Sequence, residues 1–128
     1  MTYHFSKKLN MSMNEAIARV TDTLKEEGFG ILTDIDIQKT LKAKIDVDFR
    51  AYRILGACNP VLAHQALQAE DKIGTMLPCN VIVQELKPGL VEVSAVNPAE
   101  SMKSVENASL GDIANQVQAK LKAVVEKL

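Results

Sequence analysis

The feature that most constrains this chain is the run Arg53-Ile54-Leu55-Gly56-Ala57-Cys58-Asn59-Pro60, followed by a helix-like segment and then Leu77-Pro78-Cys79-Asn80. Asn59-Pro60 reads as a strand-to-helix corner: the asparagine oxygen accepts from the exposed N–H groups of a first helical turn, and proline at the first helical position gives up no bond the helix would use. Both cysteines of the chain lie in this run, and each is followed directly by asparagine. One Cys-Asn pair stands where a strand pattern ends, the other where one begins. Any fold for this chain has to place a strand end and a strand start at these two positions.

A chain of 128 residues supplies one hydrophobic core and is too short for two ordinary domains, so residues 1–128 are expected to form a single domain. The formal charge of −1 leaves no global field to draw in nucleic acid or anionic lipid. Tryptophan is absent, which removes the best base-stacking side chain. No apolar run approaches the roughly 20 residues of a membrane span, and the N-terminus lacks the order of a signal peptide. The expectation is a cytoplasmic protein with no membrane or nucleic-acid partner, in which two cysteines stay as thiols.

In chain order, Tyr3, Phe5 and Leu9 alternate with His4, Ser6 and Lys8, as in a half-buried strand. Ser12 and Glu15 make a capping-box pattern before a helix with Met13, Ile17, Val20 and Leu24 on its apolar face, closed by Gly28 in the left-handed region. Phe29 to Thr33 reads as a second strand. Asp34-Ile35-Asp36-Ile37 fits either more strand or a helix capped by Asp36 with Ile37, Leu41 and Ile45 on one side; the helix is favoured. Lys39, Lys42 and Lys44 are then a solvated face. Phe49 to Cys58 is the longest strand candidate. The helix from Pro60 carries Leu62, Ala63, Ala66 and Leu67 inward, and Asp71 to Pro78 is read as a loop. Val81 to Leu86 and Leu90 to Val96 form a hairpin around Lys87-Pro88-Gly89. Asn97-Pro98 repeats the cap-plus-proline device, and Ser109 with Asp112 is read as the opening of a last helix carrying Ile113, Val117, Leu121, Val124 and Leu128.

Cys58 precedes a helix N-terminus, where partial positive charge favours thiolate and would suit a nucleophile, a redox thiol or a metal ligand; the plainer reading is a small buried filler. Cys79 matters only if it meets Cys58. Eight extended residues reach about 28 Å and the intervening helix spans about 15 Å, so the chain can return and bring the corners together. Cys58, Asn59, Cys79 and Asn80 would then line one pocket, as a ligand site, a disulfide, a soft-metal site or simple packing. Zinc wants four ligands and only His4 and His64 can add imidazole, which argues against a structural zinc site. His64, one turn into the helix after Pro60, is a candidate activator of Cys58, with a surface histidine as the plainer reading. Asp34 and Asp36 read as caps more readily than as a cation site. Arg53 is a candidate anion ligand; pairing with Glu85 or Glu92 across strands is favoured. With no phosphate loop, dinucleotide fingerprint or serine elbow, the sequence leans away from an enzyme and names no cofactor.

At Tyr52 to Pro60, at Leu77-Pro78-Cys79-Asn80-Val81 and at Val96-Asn97-Pro98, the chain resembles the uncharacterised family known as domain of unknown function 302. The resemblance implies an α+β domain laid out like half of a TATA-binding protein, with an antiparallel sheet and helices on one face, in the order β-α-β-(α)-β-α-β-β-α. It also implies a homodimer and the placing of the two Cys-Asn corners in one site, without an established activity. The expected function is a small binding or sensing module for a ligand or soft metal at Cys58, Asn59, Cys79, Asn80 and Arg53. The alternatives are a thiol-dependent redox protein or enzyme using Cys58, with Cys79 resolving and His64 activating, and a structural homodimerisation domain.

Overall fold

The computed structural model describes residues 2–128. Its first strand, β1 (His4–Leu9), begins one residue later than the alternation suggests: its first ladder pair is His4 with Val96, and Tyr3 beyond it is 70% exposed. In α1 (Met13–Glu26) both halves of the Ser12/Glu15 capping box form, and Ala16, Val20 and Leu24 are buried. Gly28, at φ +84°, turns the chain into β2 (Gly30–Asp36). The ambiguous stretch satisfies both readings in succession, because β2 runs through Asp36 and that residue then caps α2 (Ile37–Ile45), its carboxylate accepting from the Lys39 N–H. No residue of α2 is buried, and Ile45 is exposed.

β3 (Tyr52–Cys58) is shorter than expected at its start, because its β2 partner ends opposite Arg53, where Asp36 turns into α2. Asn59 caps α3 (Pro60–Ala69), accepting from the Leu62 N–H. The segment expected as a loop contains a 3₁₀ helix, Asp71–Met76. Its Ile73 is buried in a small satellite cluster with Ala66, Met102 and Leu110, and that burial holds the turns in place. The hairpin of β4 (Cys79–Lys87) and β5 (Leu90–Val96) matches the sequence reading, with Gly89 at φ +82° after Pro88. α4 (Pro98–Ser101) follows from Asn97 as expected. The last helix, α5 (Ala108–Lys127), is capped by Asn107 rather than Ser109: Asn107 accepts from the Leu110 N–H and donates to the Ala69 carbonyl, tying two helices at once.

The five strands form one antiparallel sheet in the order β1-β5-β4-β3-β2. Its inward residues, among them Leu55, Val81, Val83, Val91 and Val93, pack against Val20 and Leu24 of α1 and Leu121 and Val124 of α5. Each such side chain contributes about 1.5–3 kcal/mol through burial. Lys7, on the same face, reaches the carbonyls of Glu126 and Leu128, placing a cation at the negative end of α5. The domain is therefore α+β with its helices on one face of the sheet. Among the described residues no helix is long and apolar enough to cross a membrane.

Candidate functional site

The β3–β4 ladder sets Ala57 opposite Cys79 and Gly56 opposite Asn80. The Cys58 corner, where β3 ends, and the Cys79 corner, where β4 starts, thus lie side by side at one end of the sheet. Both thiols are free.

Above this end lies a cavity of about 280 Å³, with a sheet-side wall that includes Phe29, Leu32, Ala57, Cys58 and Cys79. Helix α3 contributes Leu62, Ala66 and Leu67, and α5 contributes Ile113, Ala114 and Val117. Leu32 sits where the β2–β3 register slips between Ile31 and Thr33. An extra residue at a bulge re-aims its side chain, and Leu32 stands 66% exposed at the cavity mouth. Leu32 and the α5 residues escaped the sequence reading. Ile113 and Val117 carry a helical repeat that reads as core, yet both are only half-buried because they face this space.

Of the expected site residues, Cys58, Asn59 and Cys79 line the cavity. Asn59 is occupied: its Oδ1 accepts from Leu62 N–H at 3.2 Å and its Nδ2 donates to the Glu27 carbonyl at 3.5 Å, tying the end of α1 to the start of α3. Asn80 is exposed and outside the lining, since strand alternation sends Cys79 and Val81 to the helix face and Asn80 to the other. His64 is exposed and also outside the lining, which separates it from the role of activating Cys58 inside the cavity. Arg53 is five residues from Cys58, about 17 Å along the strand. Its partner is Asp34, not Glu85 or Glu92: Nε donates to Oδ1 at 2.8 Å and Nη2 to Oδ2, a two-pronged pair. The hydrogen-bonded guanidinium holds the Asp34 carboxyl below its ordinary range.

The site is apolar in character. Burial, reinforced by the neighbouring Cys58, pushes the Cys79 thiol up to about 11, so it is a neutral S–H at physiological pH. Among the described residues no group of three or more His, Cys, Asp and Glu side chains converges as a metal site, so a metal here would have two protein sulfurs and no third such ligand. No buried side-chain polar atom among the described residues lacks a hydrogen-bond partner. The cavity therefore offers shape, apolar surface and two soft sulfur atoms. At the end of the sheet, Gly56 is pressed by its neighbours: a Cβ there would lie 2.2 Å from Thr33 Oγ1 and 2.7 Å from Pro78 Cγ. Glycine thus lets Pro78, which follows a cis peptide, close the β4 corner over β3.

Comparison with known proteins agrees with the fold. The family model described as Domain of unknown function DUF302 matches residues 5–128. A crystal structure of an uncharacterised conserved DUF302 protein from Bacillus stearothermophilus superposes with a TM-score of 0.90 at 28% sequence identity, covering 99% of this chain and 98% of that one. No curated protein matches the chain.

Proposed function

The chain belongs to the family described as Domain of unknown function DUF302, and from the cavity at its Cys-Asn corners we propose that it is a small-molecule binding or sensing module whose ligand is predominantly apolar. The observation that supports this most is the cavity of about 280 Å³ beside the paired corners, walled almost wholly by apolar side chains. Ligand sites are typically concave and mostly apolar. A cavity of roughly 150 Å³ already accepts a benzene, so this one suits a larger hydrophobe. The cysteines act here as polarizable wall atoms; a thiol is a small hydrophobe with a weak donor. The redox reading, in which Cys58 reacts and Cys79 resolves, is less well supported, because a buried protonated Cys79 is a slow resolving thiol.

The reading is tested by thermal denaturation with naphthalene as probe, comparing wild type with Ala63→Phe, which fills the cavity from α3. Probe at a hundred times its Kd adds about 2.7 kcal/mol, a rise on the order of 5–10 °C for a domain of this size. The wild type is expected to show this rise and the variant to lose it. A wild type indifferent to naphthalene, or a rise retained in Ala63→Phe, would remove the site. Cys58→Ala and Cys79→Ala are expected to keep binding with altered strength; a response confined to a soft cation such as Cu(I), and lost in both, would transfer the site to metal binding.

A further inference from the structure

A second cavity, of about 200 Å³, adjoins the first, and both are walled in part by Met102, Leu110 and Ala114. These three side chains are all that the two linings have in common. Met102 is unbranched, and methionine adapts to irregular space more readily than other core residues. The two chambers differ in chemistry. In the first, the one amide, Asn59, is already bonded to backbone on both sides. The second has Lys103 and Asn115 among its lining residues, both exposed.

Gly111 also lines the second chamber. It lies inside α5, where its N–H donates to the Asn107 carbonyl at 3.0 Å. Glycine in a helix costs about 0.5–1 kcal/mol relative to alanine. Neither a positive φ nor crowding calls for it, since a Cβ built there meets nothing within 4 Å among the described residues. Gly111 is exposed and leaves its part of the second chamber's wall as bare backbone.

From these features we infer that the ligand is a medium-chain monocarboxylate, its alkyl tail in the first chamber and its carboxylate end passing Met102 to Lys103 and Asn115 in the second. This rests on the reading of the first chamber as a hydrophobe site. Lys103 currently faces Glu100 at 3.6 Å, a long contact in which the lysine side chain is 75% exposed and the glutamate only 17%. A ligand carboxylate competes with Glu100 for the ammonium. No other charged group lines either chamber.

The test is a binding titration of decanoate, decanol and naphthalene to wild type, Lys103→Gln and Gly111→Leu, with the melting temperature of each variant confirming its fold. Decanoate is expected to bind wild type about two- to fivefold more tightly than decanol, the scale of one mostly exposed charge contact. Lys103→Gln should erase that preference. Gly111→Leu, which occupies the second chamber, should weaken decanoate about tenfold and leave naphthalene unchanged. Decanoate no tighter than decanol, or unaffected by both substitutions, overturns the inference while naphthalene binding preserves the hydrophobe site. If none of the three probes binds, both fall together.

Discussion

Cys79 and Gly56 show how single residues set the character of the sheet end. Cys79 is buried, and that burial, with Cys58 beside it, raises its thiol from the ordinary 9.0 to about 11. Each unit is a tenfold change in thiolate fraction. Alkylation by iodoacetamide at pH 8 should therefore be about a hundredfold slower at Cys79 than in a free cysteine peptide, with Cys58, which is half-exposed, labelled first; peptide mapping after timed quenching reads both. The sign of the linkage follows: the folded state holds this proton more tightly than the unfolded state, so the stability it contributes is present below pH 9 and is lost as pH rises through about 11. Cys79→Ala should flatten that alkaline limb. Gly56 makes a second prediction. Since its Cβ would collide with Thr33 and Pro78, Gly56→Ala should cost about 1–3 kcal/mol in urea unfolding, and Thr33→Ala should restore part of it. Neither crowding was legible in the sequence, because residues 33, 56 and 78 meet only through the ladder.

Among the elements, the asparagine caps carry most of the information that local sequence can hold. Asn59-Pro60 and Asn97-Pro98 start helices where expected, because an N-cap bond spans only two or three residues. Their second bonds are long-range. Asn59 donates to Glu27, while Asn97, 2% exposed, donates to the Thr2 carbonyl at 3.3 Å and pins the N-terminus beside α4. Asn59→Ala should cost about 1 kcal/mol, the ordinary value of a cap. Asn97→Ala should cost about 2–3 kcal/mol, because its buried bonds are lost together; denaturant midpoints of the two variants give the comparison. Helix α2 shows the limit of periodicity. Ile37, Leu41 and Ile45 repeat as a buried stripe should, yet nothing in the helix is buried. The 3₁₀ helix at Asp71–Met76 was missed for the converse reason: its anchor, Ile73, gains its burial from Met102 and Leu110, far away in sequence.

For the whole molecule, the helices cover one face of the sheet, and on the other a row of residues stands in register across all five strands: Ser6, Ser94, Ile82, Ile54 and Ile35. Ile35 is exposed and Ile54 and Ile82 are half-buried, so three of the five positions are apolar, and we propose this row as the surface of the homodimer that the family resemblance implies. Sedimentation equilibrium should return twice the 14.0 kDa chain mass, and Ile82→Glu should return one; a wild-type monomer at tens of micromolar would refute the dimer. The sequence by itself determined the order of the strands and main helices, the hairpin turn, the caps at Ser12, Asp36, Asn59 and Asn97 and the two Cys-Asn corners, because each depends on bonds or periodicities within a few residues. Spacing left the meeting of the corners possible, and the family resemblance implied it. Only the tertiary structure decided that Cys58, Asn59 and Cys79 share a cavity while Asn80, His64 and Arg53 lie outside it. The reason is that facing direction depends on strand register and helix packing, which no local pattern encodes. The same holds for the chemistry of the corners: a cysteine before a helix reads in one dimension as a reactive thiol or a buried filler, and it takes the apolar roof of α3 and α5 to set it in the wall of an apolar cavity.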